Sequence, residues 1–183
     1  MGKLTLHMNT MLDGVASIER LGNNMVMNAE LSEYLVRNLE GKDYILLGSK
    51  TAEELIPYWA KVAANTGDPY HALGKLITDT PKIVFSNHLR NSKWDNTTLE
   101  NGDITEKINA LKVKNDLLVY GGISFVRSLI GHGLVDEYII LVQPAAGGGG
   151  DNIFTEIKDA LPLQFKESKV FPGGLVSLNY TNK

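Results

Sequence analysis

Three stretches of this sequence place phosphate-holding residue types directly after a short apolar run. The first is Leu117–Tyr120 followed at once by Gly121-Gly122, after which Ile123, Val126, Leu129 and Ile130 recur at helical spacing. A helix start presents N–H groups and positive potential, which suits a phosphate, and glycines there let a diphosphate approach the backbone closely. The second is Gly48-Ser49-Lys50-Thr51, an ammonium and two hydroxyls at a helix start. The third is Ser86-Asn87-His88, with Arg90 beyond. Each also has a plainer reading: a tight strand-to-helix turn, an ordinary capped helix and a polar turn. The first lacks the third glycine of the dinucleotide fingerprint and is not that motif. What unites the three is their place after apolar strands, because ligands of open α/β sheets bind at the carboxyl ends of strands.

Other residues are explained more simply. Asp13-Gly14 reads as a turn. Glu30 falls in a first helical turn, where the helix dipole favours an acid. Trp59 reads as packing. Gly147 to Gly150 reads as a flexible turn, since no Lys-Ser/Thr helix start follows it. His7, His71, His88 and His132 lack metal-ligand spacing, so no metal is expected. No nucleophile elbow is present.

The elements that must position these residues alternate. Leu4, Leu6 and Met8 are apolar at every second position and predict a first strand. Residues 15–27 read as a loop. Asn28 caps a helix with the apolar face Leu31, Tyr34, Leu35, Val36 and Leu39, stopped by Gly41. Tyr44–Leu47 is a continuous apolar run, as in a buried parallel strand. Thr51 with Glu54 forms a capping-box pattern, for a helix that Pro57 interrupts or restarts. Residues 65–80 read as an excursion. Strands follow at 82–86, 117–120 and 136–143. A helix between them opens on Asp103 with Glu106, and the chain closes with a hairpin around Phe171-Pro172-Gly173-Gly174. This is an α/β chain: a mixed, mostly parallel central sheet with flanking helices and a C-terminal antiparallel hairpin.

Length and composition agree. The 183 residues suit one domain, 1–183, with 43% apolar and 21% charged residues. A net charge of −3 gives no electrostatic footprint for nucleic acid or an acidic membrane. The absence of cysteine excludes disulfides, thiolate metal sites and a cysteine nucleophile, and fits a cytoplasmic location. The N-terminus has no apolar run long enough for a signal peptide or membrane span.

An ordered set of short motifs covers nearly the whole chain. It comprises Met11-Leu12-Asp13-Gly14, Leu47-Gly48 with Thr51, Pro57-Tyr58-Trp59, Pro81–Ser86 and Trp94. It continues through Val119-Tyr120-Gly121-Gly122, Phe125, Leu129-Ile130, Gly133–Tyr138, Pro144, Gly150 and Phe154. In this set the chain resembles the dihydrofolate reductase superfamily, nearest to the reductase (C-terminal) domain of the bifunctional riboflavin-biosynthesis deaminase-reductases and its stand-alone relatives. The resemblance implies the dihydrofolate-reductase-like fold, NADPH as cofactor and hydride transfer to a small pyrimidine- or pterin-like ring. It implies that Asp13 and Gly14 belong to a mobile loop beside the nicotinamide. Gly48, Ser49, Lys50 and Thr51 would lie by the adenosine-side phosphates, and Ser86 and Asn87 by the 2′-phosphate. Tyr120, Gly121, Gly122, Ile123, Ser124 and Phe125 would surround the diphosphate, with a strained, cis Gly121–Gly122 peptide. A homodimer is implied as well.

Two family arginines are replaced here, by Ser49 and Asn87, which removes bidentate phosphate contacts and leaves NADPH against NADH open. Glu30 sits about where folate reductases carry the carboxylate that assists ring protonation, so it is a candidate catalytic residue as well as a helix stabiliser. The readings that remain are an NADPH-dependent reductase of riboflavin-biosynthesis type, a true dihydrofolate reductase using Glu30, an inactive NADP(H)-binding module and a dimeric scaffold.

Overall fold

The computed structural model describes residues 1–183 apart from the side chain of Ile18. Eight strands form one mixed, mostly parallel sheet in the hydrogen-bonded order β4-β3-β2-β5-β1-β6-β8-β7. They are β1 (Leu4–Met11), β2 (Tyr44–Gly48), β3 (Lys82–Phe85), β4 (Thr97–Glu100), β5 (Leu117–Tyr120), β6 (Glu137–Gln143), β7 (Leu163–Val170) and β8 (Val176–Asn182). The helices are α1 (Ala29–Leu39), α2 (Ser49–Ala64), α3 (His71–Asp79), α4 (Ile104–Lys112) and α5 (Ile123–Gly131). No helix among the described residues is long and apolar enough to cross a membrane. The chain divides into two compact units, Met1–Gly2 with Met27–Leu118, and Lys3–Val26 with Val119–Lys183.

In the first unit β2, β3 and β4 are parallel, with Leu46 beside Ile83 and Val84 beside Leu99. The apolar run Ile45–Leu47 is buried, as its continuous hydrophobicity requires. Asn28 caps α1 by accepting from the Leu31 N–H at 2.9 Å, and Asp103 caps α4 by accepting from the Glu106 N–H at 2.8 Å. The structure corrects three local expectations. The helix expected to open at Thr51 begins at Ser49, with Gly48 as its cap and no side-chain capping bond. Pro57 neither interrupts nor restarts that helix, which runs on to Ala64. The missing N–H orphans only the carbonyl one turn back, at Glu53, an exposed residue. Residues 65–80 are not an excursion, because α3 buries Leu73 and Ile77. Its Gly74 lets α2 approach, since a Cβ there would lie 2.7 Å from Val62 Cγ1. β4 escaped the pattern altogether, being four largely polar residues on a sheet edge.

In the second unit β1 and β6 are parallel, with Thr5 beside Glu137 and Met11 beside Gln143. β8 pairs antiparallel with β6 and with β7, the expected terminal hairpin. Its turn is closed by the Gly174 N–H on the Phe171 carbonyl at 3.0 Å, with Gly173 and Gly174 at φ 91° and 86°. β1 runs three residues beyond Met8 and is buried on both faces, Thr5 and His7 included. The region read as a loop holds a 3-10 segment, Ile18–Asn24, broken at Gly22.

Candidate functional site

In the first unit the candidate residues follow β2 and β3. Gly48 ends β2 in extended geometry (φ −78°, ψ 155°), and Ser49, Lys50 and Thr51 form the first turn of α2. Lys50 is exposed, while Ser49 and Thr51 are half-buried. That first turn has no acidic residue and no side-chain cap, whereas α1 and α4 have both. The N–H groups and positive end of α2 are therefore left without a protein counter-charge in that turn. Ser86 is buried after β3, and its Oγ accepts from the His88 and Leu89 N–H groups at 3.2 and 3.1 Å. This folds the segment back on itself and leaves the hydroxyl proton to donate. Asn87, His88 and Arg90 are exposed around that turn.

In the second unit Tyr120 ends β5, and Gly121 and Gly122 follow at φ 85° and 89°. Both lie in the left-handed region, where a side chain is strained, so the turn needs glycine. Among the described residues no peptide bond is cis, which corrects the expectation for Gly121–Gly122. Gly122 caps α5, whose first turn, like that of α2, has neither a side-chain cap nor an acid. Ile123 and Phe125 are half-buried there and Ser124 is exposed. Tyr120 stacks on His7 of β1, with ring centroids 5.0 Å apart and planes at 23°. Burial pushes the His7 imidazole down to about 4, so the ring is neutral at physiological pH.

Asp13 and Gly14 form the turn after β1. The Asp13 carboxylate accepts from the Gly148 N–H, and hydrogen bonds from Gly148 and then Gly147 hold its pKa below the ordinary aspartate value. The glycine run, read from sequence as a flexible turn, makes several contacts. A Cβ on Gly147 would meet Val15 Cβ at 2.8 Å, the Leu12 N–H donates to the Ala145 carbonyl, and Arg20 donates to the Gly149 carbonyl. Behind it, Arg127 donates to the Asn152 carbonyl and the Asp151 carboxylate. Buried Gln143 accepts from the Val26 N–H at 2.9 Å and donates to Asn9 Oδ1 at 3.0 Å, anchoring the end of the same loop.

Sequence reasoning missed His7, Asn9 and Gln143. The available signal was the polar alternation Thr5, His7, Asn9 in β1, which reads as a solvent face until the strand is known to be buried on both sides. Glu30 is exposed in the first turn of α1.

Comparison with known proteins agrees with this layout. The model of the RibD C-terminal domain matches residues 2–177. The uncharacterized protein YyaP of Bacillus subtilis (strain 168) is 32% identical over 143 residues, 75% of this chain and 73% of its own length. A candidate riboflavin biosynthesis protein from Shewanella sp. PV-4 superposes with a TM-score of 0.75 at 22% identity, covering all of this chain and 99% of that one. A diaminohydroxyphosphoribosylaminopyrimidine deaminase/5-amino-6-(5-phosphoribosylamino)uracil reductase from Thermotoga maritima superposes with a TM-score of 0.68 at 15% identity, covering all of this chain but 57% of that one. At those identities the two structures speak for the fold. The sequence match runs from the residue pair before β1 into β8, through every strand end described above, and the chain belongs to the RibD C-terminal domain family.

Proposed function

We propose that this chain is a reductase that takes a hydride from NADPH and delivers it to a small pyrimidine- or pterin-like ring, the former favoured by its family. The observation that carries the reading is the turn Gly121-Gly122 at the start of α5. Two left-handed glycines, a helix N-terminus with no side-chain capping bond and no acid in its first turn make a donor set suited to a diphosphate. The first turn of α2 has the same character, with Lys50 and two hydroxyls added.

When bound, the nicotinamide supplies the hydride. The chain's own residues bind and orient. Gly121, Gly122, Ile123 and Ser124 offer backbone N–H groups to the diphosphate, with Tyr120 and Phe125 flanking them. Within the first unit, Gly48, Ser49, Lys50 and Thr51 would suit adenosine-side phosphates, and Ser86 and Asn87 a 2′-phosphate. Asp13 and Gly14 hold the turn beside the ring. Rate enhancement comes mainly from positioning. Glu30 is exposed in the first turn of α1, a place that suits the helix dipole better than ring protonation.

The test is NADPH oxidation in the presence of ribosylamino-pyrimidines, pterins and dihydrofolate. Turnover with a pyrimidine carries the reading, turnover with dihydrofolate alone favours the folate type, and NADPH binding without turnover favours an inactive module. We further propose a homodimer, for which β7, an edge strand with exposed Phe165 and Val170, is the apolar surface at hand. Light scattering that finds only monomer at micromolar concentration defeats it.

A further inference from the structure

One face of β1 carries a row of polar side chains inside the sheet. Thr5, His7 and Asn9 are two residues apart and so share a face, and β6 runs parallel beside them. The two ends of the row are paired. Thr5 Oγ1 donates to Glu137 at 3.3 Å, and Asn9 Oδ1 accepts from Gln143 at 3.0 Å. His7 between them is not: its Nε2 is buried and has no hydrogen-bond partner among the described residues. A buried polar atom left unpaired lowers stability and calls for an explanation. The ring is not enclosed by fixed core on every side, because one face is covered by the half-buried Tyr120, the residue directly before Gly121-Gly122.

We propose that His7 is a ligand-binding residue, whose Nε2 hydrogen-bonds the amide edge of a planar ring bound beside Tyr120. The inference rests on the reductase reading, which supplies two such edges: the carboxamide of the nicotinamide and the lactam of a pyrimidine substrate. A neutral imidazole donates or accepts according to its tautomer and so serves either edge. Access to the buried ring requires the half-buried Tyr120 side chain beside it to move aside. The residue is thus kept at a cost to stability that ligand binding repays.

That trade gives the test. Wild-type and His7→Phe proteins are compared by thermal melting. Both are then titrated calorimetrically with NADP+, with 2′-phospho-ADP-ribose, which lacks the nicotinamide, and with 5-amino-6-(ribosylamino)uracil. The variant should melt at or above the wild-type temperature, since it removes the orphaned nitrogen, and should bind 2′-phospho-ADP-ribose unchanged. It should lose about three- to tenfold in affinity for one ring ligand, the range of a single neutral hydrogen bond. Loss for NADP+ identifies the carboxamide as partner, and loss for the uracil identifies the lactam. Equal affinities for all three ligands overturn the inference and leave the reductase reading standing. Wild-type protein that binds none of them overturns both. Should the variant fail to fold, 15N-histidine spectra of the wild type decide: a His7 Nε2 shift on adding NADP+ or the uracil supports the proposal, and an unmoved resonance with bound ligand overturns it.

Discussion

The carboxylate of Asp13 accepts the backbone N–H of Gly148 at 2.8 Å, so the turn after β1 is tied to the glycine run after β6 by charge-assisted hydrogen bonding. Hydrogen bonding holds the folded pKa of Asp13 below its ordinary 3.8. The tie is therefore fully present above the unfolded value and is lost as pH falls through the lower folded value. An NMR titration should place the Asp13 midpoint below 3.8, and Asp13→Ala should speed hydrogen exchange at Gly148. An Asp13 midpoint at the ordinary value would show that the tie does not hold in solution.

Gly122 sits at φ 89° as the cap of α5. Valine there forces a β-branched side chain into the left-handed region, a strain of about 1–3 kcal/mol. It also sets a side chain at the backbone proposed to meet the diphosphate. Gly122→Val should weaken NADPH binding at least tenfold while circular dichroism still reports the native fold. Unchanged affinity would remove the diphosphate from this turn.

Glu30 lies exposed in the first turn of α1. Glu30→Gln should cost about 0.3–1 kcal/mol of stability, the usual worth of an acid at a helix start. It should leave the pH profile of kcat unchanged. A loss of turnover that deepens toward neutral pH would restore the carboxylate as a proton donor.

Lys82 opens β3 almost wholly buried, its Nζ donating to the Thr78 and Thr80 carbonyls at 2.7 Å each. These lie at the C-terminal end of α3, where a cation is favoured. Burial nevertheless pushes the Lys82 pKa from 10.5 down to about 8, with Asp79 opposing. Between about pH 8 and 10.5 the unfolded chain binds more protons at this residue than the folded one, so its contribution to stability rises with pH across that window. Urea midpoints should show the rise in the wild type relative to Lys82→Met.

Much of the sheet was legible because its buried strands are short continuous apolar runs, as at Ile45–Leu47 and Leu117–Val119. The caps at Asn28 and Asp103 were legible because a side chain closing on a backbone N–H is a local event. What stayed hidden depends on distant partners. Residues 65–80 read as an excursion until Gly74 is set against Val62, and Gly147–Gly150 as a flexible turn until Asp13, Val15 and Arg20 are beside it. The candidate strand ends were proposed from residue type and from their place after apolar runs. His7 and Gln143 were not, because only the pairing of β1 with β6 turns a polar alternation into a buried polar row.

That pairing joins the opening of the chain to its last third, and it has a consequence for synthesis. The Leu4 N–H is held by the Asp136 carboxylate, 132 residues further on. At ribosomal rates of about 5–20 residues per second, β1 waits roughly 7–26 s after it is made before its neighbour exists. For most of that interval a strand apolar on alternate positions has no edge to join on either side, since β5 too is made late. The interval in which nascent chains of this protein are open to chaperone capture, or to pairing with one another, is thus set by the place of β6 in the message rather than by the strength of any contact in the finished fold.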